Sequence, residues 1–308
     1  MARTRVVIDT DPGVDDAVAI LLALASPELD VLALTTVTGN VDLAKTTLNA
    51  RRLLDLANRP DVLVAAGCSE ALAGPTNYSG DVHGSDGLGD LDWDEPDVMA
   101  RDEHAVELLH RLIGDGPLVI VAIGPLTNLA VLLERYPDDA RALERIVIMG
   151  GASFEGNVTP SAEFNIWADP EAAQRVFDAE WPITIMPLDL THQAKLNDAD
   201  LAYFSDLGTE VGRRTAQMLE PYALFHQRWY GNRDVIMHDA LAVYELLDPE
   251  LITKQGVRVT IETSGTYSRG ATWFDRRREH ADSRVRVGLE VDNKKFVALL
   301  RERLSSFR

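Results

Sequence analysis

Apolar positions follow two rhythms along this chain. Short unbroken runs, RVVIDT (5–10), DVLALTTVT (30–38), VLVAAG (62–67), PLVIVAIG (117–124), RIVIMGG (145–151) and PITIMPL (182–188), have the length and β-branched content of buried strands. Between several of them lie amphipathic, helix-length segments at 14–25, 41–57, 102–113, 126–134 and 169–179. Unpatterned apolar strands separated by such helices predict an open, mostly parallel α/β sheet with helices on both faces. Residues 190–250 read as a helical segment, and 256–291 as a small C-terminal β addition, a hairpin or extra strands, before a last helix. No repeat, low-complexity tract or clear linker interrupts the pattern, so residues 1–308 are expected to form one domain.

In a Rossmann-like sheet of this kind, ligands bind beyond the carboxyl ends of the strands, near a topological switch point. Polar residues just after a strand therefore gain weight. The first strand runs into VVIDTDPGVDDAVAI, which crowds Asp9, Asp11, Asp15 and Asp16 where a strand becomes a helix. Helix capping and the helix dipole account for one acid in the first turn. They do not account for four. Asp11 and Asp16, brought together across the Pro12-Gly13 turn, would supply hard oxygen ligands suited to calcium or magnesium. A cation of that kind needs further oxygens, and IMHDALAV offers His238 and Asp239, while the loop AIGPLTNLA offers strand-end carbonyls such as that of Thr127. The segment GNVTPSAEFNIWADPEAA places Asn157, Glu163 and Asn165 after a strand, a density of amides and carboxylate that suits a polyhydroxylated ligand. The glycine-rich VHGSDGLGD, with His83, reads as a mobile loop able to close over a site.

Composition narrows the partners. The 308 residues are 46% apolar, enough for a large core, and 30 basic against 49 acidic residues give a net charge of −19. Such a field opposes nucleic acid, anionic membranes and heavily phosphorylated ligands. The lone Cys68 rules out an intramolecular disulfide, fits a reducing compartment and reads as a small core residue. The start, MART, enters a strand with no signal-peptide pattern, and no stretch reaches the roughly 18 to 20 apolar residues of a membrane span. The expected location is the cytoplasm. A phosphate-binding G-x-x-x-x-G-K-[ST], a G-x-G-x-x-G after the first strand, paired C-x-x-C motifs and a G-x-S-x-G elbow are all absent.

Taken in order, DTDPGVDDAVAI, TVTGN, HGSDGLG, AIGPLTNLA, IVIMGGA, GNVTPSAEFNIWADPEAA and HDALAV, spread over residues 9–243, resemble the inosine-uridine-preferring nucleoside hydrolases. The resemblance implies hydrolysis of the N-glycosidic bond of ribonucleosides with a Ca2+ ion at the strand ends. It implies Asp11, Asp16, Asp239 and the carbonyl of Thr127 as metal ligands. Asp15, Asn40, Asn157, Glu163 and Asn165 would hold the ribose hydroxyls, with Met149 beside the sugar. Asp11 would be the general base and His238 would assist the departing nucleobase, while His83, Gln227, Tyr230 and Arg233 fall in segments that touch the base in relatives. A purine-specific subgroup has tryptophan where His238 stands, which favours the inosine-uridine type or a broader one. A homodimer or homotetramer is implied as well.

The chemistry of the residues agrees. A carboxylate beside a metal-activated water can take its proton, and the oxocarbenium character of a cleaving riboside is stabilised by surrounding acids. Two rivals remain to be separated. A haloacid-dehalogenase-like phosphatase also places D-x-D after a first strand, but it needs a lysine and a later acidic pair, and Pro12-Gly13 followed by Asp15-Asp16 departs from that pattern. A nucleoside-binding protein with a structural calcium would bind intact nucleoside without releasing base.

Overall fold

The computed structural model describes residues 3–79 and 82–307. The strands are β1 (Thr4–Thr10), β2 (Leu29–Thr36), β3 (Leu63–Ala66), β4 (Val119–Ala122), β5 (Arg145–Met149), β6 (Ile183–Met186), β7 (Lys195–Leu196), β8 (Val235–Ile236), β9 (Ile252–Gly256), β10 (Arg258–Ile261), β11 (Thr272–Asp275) and β12 (Val285–Val291). The helices are α1 (Val14–Leu24), α2 (Leu43–Leu56), α3 (Ala105–Gly114), α4 (Thr127–Arg135), α5 (Asp139–Ala142), α6 (Phe164–Ala168), α7 (Pro170–Asp178), α8 (Leu188–Thr191), α9 (Asp198–Ser205), α10 (Glu210–Tyr230), α11 (Ala240–Leu247) and α12 (Asn293–Leu304).

Eight strands form one sheet in the order β3-β2-β1-β4-β5-β6-β12-β9, parallel throughout except for β9, which runs antiparallel to β12. The expected open α/β sheet is present. Its strands lack alternation because both faces are covered. In β1, Val6 and Ile8 enter one apolar cluster and Val7 the other, and β4 divides Val119 and Val121 from Ile120 and Ala122 in the same way. Successive side chains of a strand point to opposite faces, and here each face meets helices.

The C-terminal β addition is more integral than the sequence suggests. β12 pairs parallel with β6 and brings β9 with it, so these strands complete the main sheet, while β10 and β11 form a separate antiparallel pair. The helical stretch 190–250 also contains β7 and β8, paired antiparallel. Helix α3 begins later than the sequence pattern indicates, at Ala105, because the His104 side chain accepts the Val106 N–H as its cap.

Strand order reverses between β1 and β4, since the first crossovers lead to β2 and β3 and the later ones to β5 and β6. The crevice at such a reversal is where open sheets bind ligands. Helix α11 reaches the same place from far along the chain, packing against α1 with Asp239 at its N-terminal end. It is held from behind by α12, where Phe296 meets Tyr244 edge to face at a ring distance of 5.3 Å. Phe296 is fully buried, so Phe296→Ala should destabilise the protein by about 3–5 kcal/mol in urea denaturation. A loss below about 1 kcal/mol would show that α12 does not brace α11.

Candidate active site

The acidic turn is built by hydrogen bonds within a few residues. Asp16 Oδ2 accepts the Gly13 N–H at 2.9 Å and Asp16 Oδ1 the Thr10 hydroxyl at 2.6 Å, so the carboxylate of the first helical turn also closes the turn that precedes it. From the end of β2, Asn40 donates its backbone N–H to Asp11 Oδ2 at 2.7 Å and its amide to Asp16 Oδ2 at 3.0 Å. Two glycines make room for Asp11. A Cβ at Gly39 would lie 2.1 Å from Asp11 Oδ2, and one at Gly124 would lie 2.6 Å from Asp11 Oδ1.

Asp15, Asp16 and Asp239 each bring a carboxylate oxygen within 4.8 Å of the others. All three are buried, as is Asp11, whose Oδ1 has no hydrogen-bond partner. Burial, then the charge of Asp16, pushes Asp15 up to about 8. Burial followed by neighbouring carboxylates holds Asp11 and Asp239 well above the usual carboxylate range. Among the described residues, no lysine or arginine lines the cavity beside them. Four buried acids with an orphaned oxygen and no cationic side chain have the donor chemistry of a hard divalent-ion site.

The cavity, about 270 Å3, is walled on one side by Asp15, Asp16, Asn40 and Asp239 and on another by Met149, Asn157, Glu163 and Asn165. Glu163 caps α6, accepting N–H groups from Gly151 at 2.8 Å, Asn165 at 2.8 Å and Ile166 at 3.2 Å. Burial nevertheless pushes it up to about 7. Asn165 donates to the carbonyl of Ile123 at 3.0 Å, and Asn157 accepts the Phe164 N–H at 2.9 Å. These side chains thus fix the loop that presents them. Much of the remaining wall is aromatic and includes His83, Tyr222, His226, Tyr230 and His238. His83 Nδ1 accepts the Val14 N–H at 3.2 Å, which leaves its proton on Nε2. Burial pushes His83 down to about 3 and His226 to about 4, and it holds His238 well below the usual histidine range. The rings are neutral at pH 7.

The chain matches the family described as "Inosine-uridine preferring nucleoside hydrolase" over residues 6–298. It belongs to that family. Its similarity to curated relatives covers both partners almost end to end: 39% identity over 98% of this chain and 99% of the pyrimidine-specific ribonucleoside hydrolase RihA of Photobacterium profundum, and 40% over 98% of each with the protein of the same name from Salmonella typhi. A plant nucleoside hydrolase, the PpNRh1 enzyme, superposes with a TM-score of 0.94 at 36% identity, covering 99% of this chain and 100% of that one. The purine-preferring ribonucleoside hydrolase from Gardnerella vaginalis gives a TM-score of 0.93 at 32% identity over 99% of both chains. The protein is a ribonucleoside hydrolase, acting on N-glycosyl bonds.

Most residues expected from the sequence meet at this nucleoside hydrolase's cavity, with Asp11 immediately behind the wall. Three do not. Thr127 is already helical, its hydroxyl donates to Asp169 Oδ2 at 2.8 Å, and it lies off the cavity wall. At the tip of β4 the residue on the cavity wall is Ile123, four residues earlier, whose carbonyl accepts the Asn165 amide. Gln227 is exposed, because α10 turns the stripe Tyr222, His226, Tyr230 toward the cavity and residue 227 lies about 100° round the helix from His226. Arg233 is drawn outward by ion pairs with Asp198 at 2.8 Å and Glu220 at 2.9 Å. Conversely, Tyr222 and His226 escaped sequence reasoning although their spacing with Tyr230 was the available signal. Cys68 is half-buried rather than a core residue, and burial pushes its thiol up to about 12, an unreactive state.

Substituting Gly39 by alanine should displace Asp11 and lower kcat/KM by about 10²-fold, with far-UV circular dichroism unchanged. Near-normal activity would show that Asp11 tolerates repositioning.

Proposed function

We propose that this enzyme cleaves ribonucleosides of the inosine and uridine type, with a broad base range, to ribose and free base, using a calcium ion held by Asp11, Asp16, Asp239 and the backbone carbonyl of Ile123. The observation that carries the reading is Asp11 Oδ1, buried and unpartnered beside three further buried carboxylates. An all-protein cage of carboxylate and carbonyl oxygens suits calcium better than magnesium, which keeps several waters of its own. When bound, the ion supplies charge compensation for the acids and a Lewis acid toward sugar hydroxyls and water.

The chain's own groups do the rest. Asp15, Asn40, Asn157, Glu163 and Asn165 hold the ribose hydroxyls, and Met149 packs beside the sugar. Asp11 takes a proton from the attacking water as its oxygen reaches C1′. The bond from C1′ to the base nitrogen breaks with its electron pair leaving on the base, and the surrounding carboxylates stabilise the positive charge that develops on the ribose. His238, with Nδ1 2.8 Å from Thr191 Oγ1, hydrogen-bonds the departing base as a neutral ring, and His83 and Tyr230 contact that base. The acid-lined cavity disfavours a phosphate on the ribose, so nucleosides are preferred to nucleotides.

A broad base range is supported by the neutral aromatic wall, which offers stacking surface without a charged group to select one base. Relatives on this fold are named for pyrimidine-specific, purine-preferring and inosine-guanosine activities. The proposal extends to a single catalytic domain acting in the cytoplasm as a homodimer or homotetramer. Among the described residues, no helix is long and apolar enough to cross a membrane.

A reducing-sugar assay on inosine, uridine, cytidine and adenosine tests the reading. Release of ribose should stop on chelation and return with calcium, and Asp11→Asn should lower kcat by about 10³-fold or more. Tight binding of intact inosine without ribose release would instead favour a binding protein, and an Asp11→Asn enzyme within about tenfold of wild type would remove Asp11 from the role of base.

A further inference from the structure

The end of α10 presents two neighbouring stripes. Tyr222, His226 and Tyr230 face the catalytic cavity, whereas Leu224 and Arg228, and Phe225 and Trp229, are i,i+4 pairs that line a second compartment of about 740 Å3. Its other wall comes from Ser79, Val82, Gly156 and Asn157. Ser79, Val82, Asn157, Phe225 and Tyr230 border both spaces, so the outer compartment is an extension of the catalytic cavity.

Two features of this compartment are not explained by a plain nucleoside. The inner cavity, at 270 Å3, is already close to the lower end of the roughly 300–1,000 Å3 of small-molecule sites, so one ligand of that size leaves the outer space free. The outer wall also keeps large apolar side chains in water: Leu224 is 52% exposed and Trp229 66%. The Phe225 and Trp229 rings lie 5.9 Å apart and tilted by 40°, an open aromatic corner. Exposed apolar side chains that line a hollow continuous with the catalytic cavity offer a surface to a ligand seated there. Arg228 is the one charged side chain on the wall among the described residues, and it is exposed, so no built anion site competes with apolar contact.

We infer that the outer compartment binds an apolar substituent, aryl or alkyl, carried by the nucleoside on its base or at its 5′ carbon, so that the substrate range includes substituted nucleosides. The inference rests on the nucleoside-cleaving reading above and names a substrate class for it. An aromatic substituent would leave water for the faces of Phe225 and Trp229, while ribose and glycosidic bond stay at the acidic end of the inner cavity.

The test compares uridine with 5-benzyluridine and 5′-O-benzyluridine, and adenosine with N6-benzyladenosine and 5′-O-benzyladenosine, measuring kcat/KM and calorimetric affinity for each. At least one benzyl compound should exceed its parent by about tenfold or more. The double variant Leu224→Ser, Trp229→Ala, altered only on the outer wall, should lose that advantage while handling the parent nucleosides as before. Which derivative gains identifies whether the base or the 5′ carbon points outward. Neither affinity nor kcat/KM improved over the parent for any benzyl compound, or an advantage that survives the double variant, overturns the inference. Uridine 5′-monophosphate is measured beside them, and a gain confined to it overturns the inference too, by making a phosphate on Arg228 the occupant. Benzyl-dependent binding without any cleavage would sink the hydrolytic reading and leave this inference standing.

Discussion

Four carboxylates buried at one strand tip repel one another and lose their hydration, and the surrounding structure is arranged to hold them there. Thr10, Gly13 and Asn40 give Asp16 its donors, and the Asn40 backbone does the same for Asp11. No side-chain cation cancels the charge at the cavity wall among the described residues, and Asp11 keeps one oxygen without a partner. A fold that buries this much like charge is destabilised unless the groups are protonated or an ion joins them. The raised carboxyl pKa values and the proposed calcium are two expressions of that constraint.

The open sheet is what makes such crowding possible. Strand order reverses between β1 and β4, which separates the loops above them and opens a crevice at the carboxyl edge. Bare glycines at the tips of β2 and β4 let the Asp11 side chain sit between two backbones. Asp239 then arrives from a helix more than two hundred residues downstream in sequence, buried against α1 and braced by the Tyr244–Phe296 contact. The same edge carries Glu163, which accepts the Gly151 N–H, and Asn165, which donates to the carbonyls of Ile123 and Met149, so that polar groups line this part of the cavity.

Legibility from sequence followed the physics of each feature. The strands of the parallel sheet were readable because burial on both faces removes polar alternation, and the acidic turn was readable because capping explains only one of its acids. β12 was harder to place: its pattern marks a strand, but nothing local tells a separate hairpin from insertion beside β6. A backbone carbonyl has no side-chain signature, so the sequence offers Thr127 where the structure sets Ile123 on the cavity wall. On α10, Gln227 and Arg233 are polar residues of the kind that attract attention, whereas helix phase turns them outward and brings Tyr222 and His226 inward. Which side chains of α10 reach the cavity thus depends on rotation about one helix axis.

Calorimetric titration of calcium into protein stripped with chelator decides whether these acids form a divalent-ion site. Saturable binding of one ion per chain is expected, with a melting temperature raised by the bound ion and loss of both effects in Asp239→Asn. An absence of binding heat together with a melting temperature indifferent to calcium would contradict it.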